Sequence, residues 1–177
     1  ITATINTHFG SKVVIPGTGV LMNNEMDDFA VAPGAPNAFG LLGAEANSVE
    51  PGKRPLSSMS PTLVLKGNQP VLAVGAAGGP TIITQTLLAM VHTLDYGLSL
   101  KEALAQTRFH HQWKPDTLRI ELKAGQNVLN QLRQRGHQLK VCSSMGASRG
   151  VGWFEGKFKA VHDPRSKGKS VVLAPSD

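Results

Sequence analysis

Pro70-Val71-Leu72-Ala73-Val74-Gly75-Ala76-Ala77-Gly78-Gly79-Pro80-Thr81-Ile82-Ile83 passes from an apolar run through a glycine turn into a segment of different period. Upstream, Thr62-Leu63-Val64-Leu65-Lys66 and the Gly67-Asn68 pair make Thr62 to Val74 read as a β-hairpin. Downstream, Ile82, Ile83, Leu87, Met90, Val91 and Leu94 recur at helical spacing. A strand, a turn and a helix N-terminus therefore follow in order. Glycines at such a junction expose peptide N–H groups at the positive end of the helix dipole. An anion cradle, an oxyanion hole and a purely structural turn all fit that description. The Lys-Ser/Thr ending of a phosphate loop and the spacing of a dinucleotide fingerprint are both lacking.

The flanks extend this pattern. Ser99 with Glu102 forms a capping box for a helix running toward Gln106, and a third helix around Val128, Leu129 and Leu132 ends at Gly136. Leu118 to Leu122, Gln138 to Cys142, and Val151 to Val161 with a turn at Glu155-Gly156-Lys157 read as strands, and Thr2 to Thr7 alternates as a strand does. Ala32 to Pro55 is rich in Pro, Gly, Ala and Asn and reads as a long loop. Antiparallel hairpins beside two or three helices predict an α+β fold with layered sheets, not a doubly wound parallel sheet.

Composition limits the function classes. The 177 residues, 41% of them hydrophobic, suffice for one core, and no repeat is visible. The net charge of +6 is unevenly spread: the first fifty residues hold one basic and five acidic side chains, and the remainder is strongly basic. The basic residues are scattered and aromatics are only 5%, which argues against a nucleic-acid partner. The single cysteine, Cys142, cannot form an internal disulfide, and no stretch approaches the roughly eighteen unbroken apolar residues of a membrane span. His110 and His111 are adjacent and point to opposite sides, with no nearby partner at metal-ligand spacing, so no metal or cofactor is expected.

Two further stretches combine polar groups in a suggestive way. In Asn23-Asn24-Glu25-Met26-Asp27-Asp28-Phe29, Glu25 and Asp28 are three apart and share a face of a helical turn, where they suit an ammonium; an acidic surface turn is the plainer alternative. In Arg54-Pro55-Leu56-Ser57-Ser58-Met59-Ser60-Pro61, two hydroxyls sit on a segment stiffened by prolines; they suit a carboxylate, or else form an ordinary serine turn.

Taken in order, Thr4-Ile5-Asn6-Thr7-His8-Phe9-Gly10, Pro16-Gly17-Thr18-Gly19, Asn23 to Phe29, Lys53 to Pro61, Gly75 to Gly79, Arg108-Phe109-His110-His111-Gln112 and Asp163-Pro164-Arg165 resemble the small subunit of γ-glutamyltransferases. The resemblance covers nearly the whole chain. It implies a four-layer αββα fold of the N-terminal nucleophile hydrolases, in which residues 1–177 are the small-subunit portion of a composite domain shared with a large subunit. It also implies a periplasmic or extracellular enzyme that transfers or hydrolyses the γ-glutamyl group of glutathione and related compounds, with an amino acid, a peptide or water as acceptor. The nucleophile would be a threonine whose free α-amino group acts as base, forming a γ-glutamyl ester.

Carried over by resemblance, Thr4 partners the nucleophile's hydroxyl, Asn6, Glu25 and Asp28 surround the glutamyl α-ammonium, Ser57 and Ser58 hold its α-carboxylate, and Gly78 and Gly79 supply N–H groups to the oxyanion. In relatives that hydrolyse glutaryl-cephalosporins, whose substrate has no ammonium, the acidic position of Asp28 is less needed, so the full Glu25/Asp28 pair implies true γ-glutamyl substrates. Pro33 to Gly43 matches a lid segment, and Phe39 stands where such lids carry a tyrosine, which implies a looser lid. By the family pattern, in which the small subunit opens with Thr-Thr-His or Thr-Ala-His before a strand, the nucleophile is expected roughly fifteen residues upstream of Ile1; Thr2 and Thr4 have amide-bonded nitrogens and cannot use the own-amine mechanism. Residues 1–177 are therefore expected not to turn over alone. A catalytically inactive homologue that only binds γ-glutamyl ligands is the alternative.

Overall fold

The computed structural model describes residues 1–173, which fall into two compact units, one of 1–59 with 112–115 and one of 60–111 with the described residues from 116 on.

The larger unit holds the regular structure. β1 (Thr62–Lys66) and β2 (Gln69–Ala77) form the expected hairpin, α1 (Thr81–Leu94) follows the glycine turn, and α2 (Leu100–Ala105) follows Ser99. Then come β3 (Phe109–His110), β4 (Leu118–Glu121), α3 (Gln126–Gln134), β5 (Leu139–Cys142), β6 (Ala147–Phe154) and β7 (Lys157–His162). The order β1-β2-β6-β7 makes a four-stranded sheet with every pair antiparallel. β3-β4-β5 makes a second sheet. Its β4 and β5 run parallel, as a connection that carries a helix permits.

The core of this unit is Leu72 and Val74 from β2, Ala89 from α1, and Leu100 and Leu104 from α2, with Val64, Met90, Phe154 and Val161 packed around them. Period-2 alternation on β2 aims residues 72 and 74 at the helices, and burying each such side chain contributes about 1.5–3 kcal/mol. α2 can lie close to β6 because Gly150 has no side chain: a Cβ there would meet the Leu100 methyls at 3.1 and 3.2 Å. The Ser99–Glu102 capping box forms, Ser99 Oγ accepting from the Glu102 N–H and Glu102 from the Ser99 N–H.

The smaller unit is mostly loop. Val14 bridges Leu21, Ala30 bridges Ser48, Pro36 bridges Leu42, and single 3-10 turns form at Glu25–Asp28 and Glu45–Asn47. The strand expected over Thr2 to Thr7 is not formed. The segment has no ladder partner among the described residues, and Asn6 and Thr7 adopt φ of 60° and 37°, outside the β region.

Candidate functional site

In the smaller unit, the chain around Thr4 is built by side chains that bond backbone. The Asn6 N–H donates to Thr4 Oγ1 at 2.8 Å, and the Thr7 N–H donates to Asn6 Oδ1 at 2.9 Å. The left-handed conformation of Asn6, which asparagine tolerates better than most residues, frees its amide to reach across the sequence. Asn6 Nδ2 donates to Asp28 Oδ1 at 2.8 Å, and the Asn24 N–H donates to the Ile5 carbonyl at 3.2 Å. Thr4, Asn6 and the acidic turn are thereby brought together.

The acidic turn itself is a single 3-10 turn initiated by Asn23, whose Oδ1 accepts from the Glu25 N–H at 3.0 Å. Glu25 and Asp28 are adjacent on it and only partly exposed. Glu25 Oε1 and Asp28 Oδ2 are buried and have no hydrogen-bond partner. Burial, followed by the neighbouring Asp28 carboxylate, which can accept a hydrogen bond from the protonated form and repels the ionised one, pushes the Glu25 carboxyl above its ordinary value. Two carboxyl groups that crowd each other away from water suit a cation that bridges them.

The two serines, equivalent in sequence, are not equivalent here. Ser57 is exposed, and its Oγ closes a local turn, donating to the Met59 carbonyl and accepting from the Met59 N–H, both at 3.2 Å. Ser58 Oγ is buried and has no partner. Sequence reasoning overlooked the residue that ties this segment to the acidic turn. Asn47 Nδ2 donates to the Asp28 carbonyl at 2.7 Å, and its Oδ1 accepts from the Leu56 N–H at 3.0 Å. Only its place in an Asn-rich loop marked it.

Residues 33–43 leave this scaffold as a closed excursion, the Gly34 N–H donating to the Gly43 carbonyl at 2.8 Å. Phe39 is exposed and is held by its main chain: Gln112 Nε2 donates to its carbonyl at 2.9 Å.

In the larger unit, Gly78 and Gly79 turn between β2 and α1 with φ of 146° and 57°. Their carbonyls are committed inward. Gly78 accepts from Thr81 Oγ1 at 2.8 Å, and Gly79 accepts from the Ile82 N–H at 3.0 Å. No hydrogen bond among the described residues takes up the N–H of Gly78 or Gly79. A turn that ties its carbonyls and leaves its N–H groups available at a helix N-terminus can stabilise an oxyanion.

Beneath it lies a buried ionic network. Arg108, 4% exposed, pairs with the fully buried Asp163, and Arg165 grips Glu121 with two bonds of 2.6 Å. Burial would raise the carboxyl pKa of both acids. The Arg165 side chain and the Arg108 N–H on Glu121, and the Arg165 and Ser148 N–H groups with the Arg108 guanidinium on Asp163, nevertheless hold both below their ordinary values. His110 is buried with Nδ1 3.0 Å from Thr84 Oγ1, and His111 Nε2 lies 2.9 Å from Asp116. Burial raises the Cys142 thiol pKa, which does not suit a nucleophile. Among the described residues no group of three or more His, Cys, Asp or Glu is placed to hold a metal ion, and no helix is long and apolar enough to cross a membrane.

Known proteins resemble this chain over most of its length. A family model described as gamma-glutamyltranspeptidase matches residues 1–173. The glutathione hydrolase proenzyme of Escherichia coli is 44% identical over 167 residues, which are 94% of this chain and 29% of that protein. The chain thus spans less than a third of the length of this curated relative. The gamma-glutamyltranspeptidase T380A mutant of Helicobacter pylori superimposes with a TM-score of 0.89 at 44% identity, covering 94% of this chain and 92% of that one. The gamma-glutamyltranspeptidase of Pseudomonas nitroreducens in complex with L-DON gives 0.91 at 38% identity, covering 98% and 92%.

Proposed function

The chain belongs to the gamma-glutamyltranspeptidase family, and on that footing we propose that it supplies the glutamyl-binding groups and the oxyanion donors of an enzyme that moves γ-glutamyl groups from glutathione and similar compounds to water or an amine. Three buried atoms without partners, Glu25 Oε1, Asp28 Oδ2 and Ser58 Oγ, carry this proposal. The smaller unit keeps four such atoms, Ser48 Oγ being the fourth. Leaving a polar group buried and unpaired costs about 1–3 kcal/mol, and the first three are the ones whose chemistry a single ligand can satisfy together. Two of them belong to an acidic pair and one to a hydroxyl. That set matches the ammonium and carboxylate of an unblocked glutamyl α-end.

In this scheme Glu25 and Asp28 receive the ammonium, Asn6 holds Asp28 in place, and Ser58 donates to the carboxylate; Ser57 joins it only by giving up its bond to the Met59 carbonyl. Thr4 Oγ1 bonds the nucleophile. The nucleophile is an N-terminal threonine of the complete small subunit, whose amine takes the hydroxyl proton as oxygen attacks the γ-carbonyl. Gly78 and Gly79 N–H groups stabilise the negative charge that develops on that carbonyl oxygen. A large subunit cut from the same precursor completes the enzyme, which works in the periplasm or outside the cell.

The test compares a γ-glutamyl anilide with the matching glutaryl anilide, which lacks only the ammonium, on the complete enzyme and on Asp28→Asn. Wild type should prefer the γ-glutamyl compound strongly, and Asp28→Asn should lose most of that preference. An unchanged preference removes the ammonium role. Binding of γ-glutamyl ligands with no turnover of either anilide would mark an inactive homologue.

A further inference from the structure

Gln85 sits one turn inside α1, is 1% exposed, and uses both ends of its side-chain amide. Nε2 donates to the Ala77 carbonyl at 3.2 Å and to Thr81 Oγ1 at 2.9 Å. Oε1 accepts from Arg108 Nη1 at 3.0 Å and from Ser148 Oγ at 3.2 Å. This orientation is enforced. A guanidinium can only donate, so the amide oxygen must face Arg108, and the NH2 group is left facing a carbonyl that can only accept. Space is also closed: a Cβ on Gly78 or Gly146 would come within 2.8 and 2.1 Å of Nε2.

The consequence lies on the far side of two peptide bonds. A trans peptide is planar, with its C=O and N–H directed oppositely. Anchoring the Ala77 carbonyl on Gln85 therefore sends the Gly78 N–H the other way. Anchoring the Gly78 carbonyl on Thr81 Oγ1, itself held by Gln85, does the same for the Gly79 N–H.

We propose that Gln85 is a positioning residue for catalysis, aiming the Gly78 and Gly79 N–H donors through the Ala77 carbonyl and Thr81, with Arg108 and Ser148 fixing the direction of its amide. This rests on the oxyanion role of the glycine turn given above. Gln85 touches no reacting atom. Its influence should fall on the tetrahedral state and spare ground-state binding, because only in that state does charge develop on the oxygen that the N–H groups face.

The experiment uses the complete enzyme with Gln85→Glu, Thr81→Val and Gly79→Ala. For each, kcat and KM on a γ-glutamyl anilide are measured with the affinity for a γ-boronate analogue, which becomes tetrahedral on the nucleophile. Gln85→Glu keeps the shape and the bond to Arg108 but turns an oxygen toward the Ala77 carbonyl. It should lower kcat and boronate affinity together by about 10- to 100-fold with KM within about threefold. Thr81→Val should lower both by a smaller factor, and it decides the matter if Gln85→Glu does not fold. If Gly79→Ala lowers kcat and boronate affinity while neither Gln85→Glu nor Thr81→Val does, the positioning role is overturned. It is overturned too if KM rises as much as kcat falls, the mark of a merely structural loss. If wild type binds the boronate no more tightly than the matching carboxylate, the oxyanion role of the turn fails instead.

Discussion

Asn6 Nδ2 donates to Oδ1 of Asp28 at 2.8 Å, while Oδ2 of the same carboxylate is buried without a partner. One oxygen is thus spent on holding the carboxylate still and the other is kept for something else. A hydrogen bond to a charged group is worth about 1.5–3 kcal/mol. Asn6→Ala should raise KM for a γ-glutamyl substrate by about tenfold and Asp28→Ala by more, with kcat changing less. Steady-state kinetics on the complete enzyme measures this, and equal KM values for Asn6→Ala and wild type would refute it.

The Glu25 carboxyl, raised by its burial and by Asp28 beside it, sets a pH dependence. An acid whose folded pKa is raised adds stability below its ordinary value of 4.5, and loses that contribution as pH climbs through the raised value. An ammonium ligand acts oppositely, favouring the ionised form. Binding of a γ-glutamyl inhibitor just above pH 4.5 should therefore release a proton and tighten with rising pH. Calorimetry in two buffers of different ionisation enthalpy reads the release, which Glu25→Gln should abolish.

Ser58→Ala separates stability from function. Its Oγ has no partner to lose, so the variant should unfold within about 1 kcal/mol of wild type or slightly above it. Affinity for the glutamyl α-carboxylate should nonetheless fall. Thermal denaturation beside inhibitor titration tests both halves, and a large drop in Tm would show that Ser58 is structural.

Asp163→Asn should cost about 3–5 kcal/mol, because it strands the buried Arg108 guanidinium without its counter-charge. In wild type the lowered Asp163 pKa contributes stability that is present above its ordinary value of 3.8 and is lost as pH falls through the lowered one. The difference between the two proteins in urea denaturation should therefore be full at neutral pH and shrink in strong acid. A constant difference at all pH values would exclude the charge pair as its source.

Much of the larger unit was legible in the sequence because its signals are local. The Gly67-Asn68 turn, the Ser99–Glu102 box and the stop at Gly136 act within a few residues of themselves, and β1, β2, α1, α2 and α3 lie where they direct. β3 is two residues long and carries no period to read. Thr2 to Thr7 shows the opposite case: alternation is a sign of a half-buried strand, but a strand also needs an edge to pair with.

For the candidate site, the sequence by itself determined which residue types are available and in what order: the acidic pair, the two serines, the glycine turn. Only the tertiary structure decided that Ser57 is spent on its own turn while Ser58 is buried, that Asn47 joins the acidic turn to the serine segment, and that Gln85 is locked between Arg108 and the Ala77 carbonyl. The physical reason is the range of the interactions. Capping and turn formation depend on neighbours along the chain, whereas the burial and pairing of a polar atom depend on groups brought near it by folding, 22 residues away for Asn6 with Asp28 and 23 for Arg108 with Gln85.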